Sequence, residues 1–266
     1  MMSFAEWKAS READVQAPQG DLALIAMYEI KGQQRIDDIP GLWMPACDNE
    51  PGLKLVAEAK DELQLDGDIV VDGMVHLVAD ETVIHIDENR SATATYQPGS
   101  MHLLAIWDAK SEAIKQFNGI DVYPYNPDWV IEADFIEDTE SGTFDFIHTS
   151  DHGNKARTHQ SLGEIHFSYE GASFAMRPFA SGDSMIIVFR DATSGVDTYD
   201  MGRMLLVSKP MNDGKVMLDF NRAFLPPCAF SLHFNCPMPP ASNRLPIFVN
   251  AGEKSVKRDD FVRDNH

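Results

Sequence analysis

The sequence has little cysteine and little positive charge, and no long apolar run. Only Cys47, Cys228 and Cys236 occur among 266 residues, an odd number too small for a disulfide framework. Lys and Arg total 22 against 42 Asp and Glu, a formal net charge of -20. A field of that sign repels polyanions, so neither nucleic acid nor an anionic membrane surface is expected as a partner. A few arginines within a Debye length of about 8 Å can still hold a small anion against distant carboxylates. No stretch approaches the roughly 18 continuous apolar residues that a membrane span needs. The first residues, Met-Met-Ser-Phe-Ala-Glu-Trp-Lys, lack the basic, apolar and small-residue succession of a signal peptide, and the expected compartment is the cytoplasm. Internal repeats and low-complexity tracts are also missing.

What is present is the composition of an ordered globular chain, 44% hydrophobic and 24% charged. Ser3 and Glu6 form a capping-box pattern, and Phe4, Trp7 and Arg11 follow at helical spacing, so a short helix is expected to end near Val15. Short strands then alternate with Gly, Asp and Asn clusters: Leu22 to Ile30, Val75 to Val78, Thr82 to Ile86, Thr93 to Tyr96 and His102 to Asp108. Gly119 to Asp128 reads as a turn-rich junction. Further strands are expected at Trp129 to Glu137, Phe144 to Thr149, Glu164 to Glu170, Ser173 to Phe179, Met185 to Asp191, Met204 to Ser208 and Lys215 to Phe220. The proline-dense Leu225 to Pro246 reads as a rigid extended loop, Ile247 to Ala251 as a last strand, and Ser255 to His266 as a fraying charged tail. The fold class is therefore mainly β: a short N-terminal helix with a sandwich-like half, residues 1–120, then a barrel- or sandwich-like half, residues 121–266.

The densest run of polar residues lies between Ser184 and Lys254. Asp191, followed by Thr193, Ser194 and Gly195, has the pattern of an Asx-turn. Val216, Leu218 and Phe220 fall on one strand face, so Asp219 and Asn221 share the other. With Arg203 and Arg222 to meet a carboxylate or phosphate, and Tyr199, Asp219, Asn221 and Glu253 to orient it, these six residues make a candidate site for a small polar or anionic molecule, provided that they converge. Arg203→Ala is then expected to abolish binding and leave the fold intact. Two alternatives remain open. One is a hydrolytic enzyme with Asp219 or Glu253 as acid or base, although no nucleophile and base pair can be named from spacing. The other is a purely structural or interaction module.

Cofactors are not expected. Cys228 and Cys236 with His233 between them lack a fourth ligand and the closely spaced pair of a zinc site, so no metal is assigned, and buried thiols or a regulatory disulfide remain as readings. His148, Asp151, His152 and His159 could gather around a metal, but their spacing matches no established pattern, and a solvated loop is the plainer reading. The sequence carries no signal for the oligomeric state.

Phe189-Arg-Asp-Ala-Thr-Ser-Gly, Thr198-Tyr199, Gly202-Arg203, Asp219-Phe-Asn-Arg-Ala, Pro226-Pro-Cys-Ala-Phe, Cys236-Pro, Asn243-Arg-Leu and Ala251-Gly-Glu-Lys, in that order, resemble the domain-of-unknown-function family 1684. Phe117, Gly119, Tyr123-Pro124 and Pro127-Asp-Trp129 extend the resemblance toward the N-terminus. It implies a two-part β protein and brings no reaction, cofactor or catalytic residue. The N-terminal part, with Tyr28 to Ile36 and the short strands after it, is distantly similar to a forkhead-associated β-sandwich. It lacks that fold's Gly-Arg loop, Ser-x-x-His motif and Asn-Gly turn, so phosphothreonine binding is not expected.

Overall fold

The computed structural model describes residues 2–47, 50–97, 100–138, 143–146, 157–160, 162–210 and 213–259. The protein is mainly β, with antiparallel sheets and one short N-terminal helix, Phe4–Val15. The helix begins with the expected reciprocal cap: the Ser3 backbone donates to Glu6 Oε2 at 2.7 Å and the Glu6 backbone to Ser3 Oγ at 3.3 Å. Among the described residues no helix is long and apolar enough to cross a membrane.

Contacts divide the chain into two units, one of Ala13–Gln116 and the other of Met1–Glu12 with Phe117–His266. The first eleven or so residues thus group with the C-terminal half of the sequence. In the Ala13–Gln116 unit, a six-stranded sheet runs in the order Leu24–Glu29, Ser100–Asp108, Arg90–Gln97, Val83–His85, Gln64–Leu65, Ile69–Val70. A four-stranded sheet runs Gln34–Ile36, Ile39–Cys47, Glu50–Ala57, Gly73–Val78. Trp43, Leu53, Leu55 and Leu77 from the smaller sheet bury against Ile84, Ala92, Ala94, Leu104 and Ile106 from the larger, which makes this unit a sandwich with one core. The strands from Gln34 to Ala57 go beyond the sequence-based reading. Pro40, Gly41, Pro45, Pro51 and Gly52 interrupt their apolar alternation, and cross-strand pairing supplies the order that local propensity withholds.

In the other unit, a four-stranded sheet runs Ala172–Met176, Gly163–Tyr169, Val130–Glu137, Lys215–Asp219, and a three-stranded sheet runs Phe179–Ser181, Ser184–Phe189, Arg203–Ser208. Ile165, Phe167, Met176, Val216 and Leu218 from the first meet Met185, Ile187, Phe189, Leu205 and Val207 from the second. Phe220 sits among the aromatic rings, edge-on to Trp129 at 5.7 Å and to Phe189 at 5.6 Å.

Two expectations are corrected here. Phe117–Val122 is a strand rather than the start of a turn-rich junction, and the last strand is Glu253–Arg258 rather than Ile247 to Ala251. These two segments pair with each other, and Lys254 and Lys257 both reach Asp121. Neither has a strong local pattern, so a partner more than a hundred residues away defines both. Residues 247–251 are irregular because three of their backbone groups serve side chains instead of a ladder, as described below. Between Leu225 and Pro246 the chain makes 3-10 turns at Pro227–Ala229 and Ala241–Asn243 and no strand, in keeping with its prolines.

Candidate functional site

Arg203 opens a strand of the three-stranded sheet, and its side chain points into the protein with no exposed surface. Its Nη1 donates to the carbonyls of Ala251 and Glu253, and its Nη2 to the Val249 carbonyl at 2.9 Å and to Asp191 Oδ1 at 3.2 Å. The guanidinium lies over the Phe189 ring, 5.4 Å from its centre. Burial pulls its pKa below the ordinary arginine value, and the Asp191 carboxylate opposes that pull. Nε is the buried side-chain polar atom left without a hydrogen-bond partner among the described residues.

Asp191 is the hub on the other side. It accepts from the Thr193 backbone at 3.3 Å, Thr193 Oγ1 at 2.8 Å, Ser194 Oγ at 3.2 Å and the Val249 backbone at 2.8 Å. The Asx-turn read in the sequence is present, and it also carries a buried ion pair.

Glu253, 1% exposed, is held from two directions. Arg11 of the N-terminal helix donates through Nε to Oε1 at 2.9 Å and through Nη2 to Oε2 at 3.3 Å, and the Leu225 backbone donates to Oε2 at 2.7 Å. Arg11 in turn lies 5.0 Å from the centre of the Phe224 ring. The Glu253 backbone donates to the Ala223 carbonyl at 2.8 Å, an approach that Gly252 permits. Its φ is +79°, and a Cβ there would come within 2.5 Å of that same carbonyl oxygen.

Asp219, Asn221 and Arg222 form a third group. Asp219 caps the short turn Phe220–Arg222 by accepting from the Asn221 backbone at 3.2 Å, and it pairs with Arg222 Nε at 3.1 Å. Arg222 also reaches the Met2 carbonyl. Asn221, fully buried, accepts from the Asn126 backbone at 2.8 Å and donates to the Asn126 carbonyl at 2.9 Å. Asn243 repeats this device on Arg177, accepting from its backbone nitrogen at 2.8 Å, donating to its carbonyl at 2.9 Å and donating again to the Val188 carbonyl at 2.9 Å. In each case one amide replaces the strand partner that an irregular segment cannot provide.

Tyr199, half-buried, donates to the Cys228 carbonyl at 3.2 Å and lies 3.8 Å from the Cys228 sulfur. Burial pushes its phenol pKa up. At the nearby surface the Tyr123 hydroxyl donates to Asp197, and Lys254 pairs with Asp197 at 3.0 Å and with Asp121 at 3.4 Å.

The structure therefore gathers Arg203 and Glu253 through the Glu253 carbonyl, and Asp219, Asn221 and Arg222 through one short turn. Tyr199 stands apart beside Cys228. The polar atoms of Arg203, Asn221 and Glu253 are turned inward onto protein groups. Arg11 holds Glu253, Asp191 holds Arg203, and Asn126 and Asp219 hold Asn221. Of these partners, Asp191 stood in the sequence motifs, whereas Arg11 carried only a helix-spacing signal. Among the described residues no group of three or more His, Cys, Asp or Glu could hold a metal. His148, Asp151 and His152 lie outside the described residues, as does the side chain of His159.

Tyr123 and Asp197 offer a pH test. The Tyr123 hydroxyl, followed by Lys254, holds the Asp197 pKa below the usual carboxylate value. A carboxylate lowered in the folded state adds stability above its unfolded pKa of about 3.9 and loses it as pH falls through the folded value. Asp197 is half exposed, so the contribution is about 0.5 kcal/mol. Urea unfolding of Tyr123→Phe should show that deficit at pH 7 and a smaller one at pH 3. An equal deficit at both would remove Asp197 from the account.

Fold and side-chain network together define a two-unit antiparallel β protein whose C-terminal unit is braced by buried polar residues. The chain belongs to the family described as Protein of unknown function (DUF1684), whose model matches residues 115–254, just over half of its length. It is also similar to the solution NMR structure of an uncharacterized protein from gene locus rrnAC0354 of Haloarcula marismortui. The two are 31% identical over 55% of this chain and 79% of that one, with a TM-score of 0.42. No curated protein matches.

Proposed function

We propose that the protein is a small-molecule binding module whose ligand enters the open end of the C-terminal unit, and that the buried polar network braces the walls. The observation that carries this reading is a cleft of about 480 Å³ lined by Phe135, Leu162, Ala180, Met185, Lys209 and Glu137, among others. Phe135, Leu162 and Met185 belong to or pack on the core, so the floor is apolar, and Lys209 stands at the rim. A pocket of that size with an apolar floor and few polar groups suits a small ligand. Lys209 selects one with an apolar body and an anionic end. Its present partner, Asp183 at 3.7 Å, is fully exposed, so little energy is lost when an anion replaces it.

The six residues read from the sequence support the site at one remove. Arg203, Asn221 and Glu253 are engaged by backbone groups and by Asp191, Asp219 and Arg11 in turn, with Arg203 Nε left over, so a ligand carboxylate at the two Nη atoms of Arg203 would have to displace Asp191. The same engagement gives the hydrolytic alternative less support, because Glu253 is locked by Arg11 and Asp219 by its turn and Arg222. A larger cleft of about 830 Å³ lies in the Ala13–Gln116 unit, but Glu62, Asp87 and Glu88 line it with His85, which disfavours an anion.

The test is thermal unfolding of the full chain against medium-chain carboxylates and their uncharged alcohols. A ligand at about 100 times its Kd adds about 2.7 kcal/mol, which raises the midpoint by about 5–10 °C for a domain of this size. The shift should occur with the carboxylates, fall by more than half in Lys209→Ala and vanish in Ala180→Trp, which fills the cleft. A shift that is unchanged in both variants places the ligand elsewhere, and no shift with any compound returns the protein to the structural reading.

A further inference from the structure

The cleft leaves unused the most chemically distinctive pair in the unit. Cys228 and Cys236 are both reduced, 8% and 7% exposed. The Cys228 backbone nitrogen donates to the Cys236 sulfur at 3.3 Å. A disulfide needs Cα atoms about 4.4–6.8 Å apart, and a sulfur this close to the other residue's backbone nitrogen is within reach of that geometry. Between the two, residues 229–235 form turns without a strand, so a small adjustment does not break a ladder. The Tyr199 hydroxyl points at the Cys228 carbonyl and sulfur.

A thiol buried merely as a small hydrophobe has apolar neighbours and remains inert. Cys228 has donors instead. We propose that Cys228 is a reactive thiol that a small hydroperoxide oxidises, and that Cys236 resolves the product to an intramolecular disulfide. The Cys228 thiolate attacks one peroxide oxygen, the O–O bond breaks, and the other oxygen leaves with a proton as water or an alcohol. Cys228 is then a sulfenic acid. The Cys236 sulfur attacks it, an S–S bond forms, and the hydroxyl leaves as water with the Cys236 proton. One hydroperoxide is reduced by two electrons while two thiols become one disulfide.

The electrostatics agree with this order of attack. The Cys236 thiol, and after it the Tyr199 hydroxyl, hold the Cys228 pKa below the ordinary thiol value against burial, which raises it. The Tyr199 hydroxyl is also placed to donate to the departing oxygen. The exposed Cys47 is an internal reference.

The experiment treats the reduced full chain with one equivalent of hydrogen peroxide at pH 7, alkylates the remaining thiols, and digests with trypsin. Cleavage after Arg222 and Arg244 releases one peptide carrying both cysteines, so the crosslink reads as a loss of two hydrogens within that peptide. It should form about tenfold faster than Cys47 is oxidised. Cys236→Ser should trap a dimedone-reactive sulfenic acid on Cys228, and Tyr199→Phe should slow the step about fivefold. Oxidation of Cys47 ahead of Cys228 overturns the assignment. So does a Cys228 that advances to sulfinic acid without crosslinking. The wild-type measurement decides the matter even if a variant fails to fold.

Discussion

Arg203→Ala should lower the stability of the protein by about 3–5 kcal/mol, the range for breaking a buried ion pair from one side. The guanidinium serves Asp191 and the carbonyls of Val249, Ala251 and Glu253 at once. Its removal leaves a buried carboxylate uncompensated, takes a donor from each of three backbone carbonyls, and opens a void beside Phe189. Asp191 keeps donors from Thr193, Ser194 and the Val249 backbone, so the penalty is chiefly electrostatic. Asp191→Asn in the Arg203→Ala background should therefore recover part of the loss. Urea unfolding of the wild type, Arg203→Ala, Asp191→Asn and the double variant gives the coupling directly. If Arg203→Ala costs less than about 1 kcal/mol and instead abolishes binding of an anion, Arg203 is a ligand cation and the bracing role is wrong.

The same substitution shows where sequence reading stops. Motif density marked the segment from Ser184 to Lys254 as unusual, but the strand face expected to carry both Asp219 and Asn221 ends at Asp219, and Asn221 lies in the short turn that Asp219 caps. The strands with apolar alternation were legible. Burial was not legible, because an arginine at the mouth of a strand reads alike whether it faces solvent or the core. The sign of the side chain is decided by Asp191 twelve residues earlier and by carbonyls near residue 250, none of which a local window contains. Arg11 is the sharper case. A helical position near the N-terminus gives no hint that it neutralises Glu253, and without that cation Glu253 looks like a free acid. The strand pair Phe117–Val122 and Glu253–Arg258 was hidden likewise, by partners at opposite ends of one unit.

Asn243→Asp should destabilise the fold by about 3 kcal/mol or more at pH 7, more than Asn243→Ala, although it changes only one group by one atom. The Asn243 amide donates to the Arg177 and Val188 carbonyls while its oxygen accepts from the Arg177 backbone. A carboxylate retains the accepting half and turns the donating half into a negative charge facing two carbonyl oxygens in a site with no exposed surface. Repulsion of that kind raises a buried carboxyl's pKa. A group whose folded pKa lies above its unfolded one favours the fold below the unfolded value and loses that advantage as pH rises through the folded value. The Asn243→Asp deficit should therefore shrink toward pH 4 and grow toward pH 7, whereas Asn243→Ala, with no charge, should lose about 2–3 kcal/mol at both. Chemical unfolding of the two variants at the two pH values separates the cases. A pH-independent deficit in Asn243→Asp would mean that the segment from Ala241 to Val249 shifts to let the carboxylate reach solvent, and that the amide is not what holds it to Arg177 and Val188.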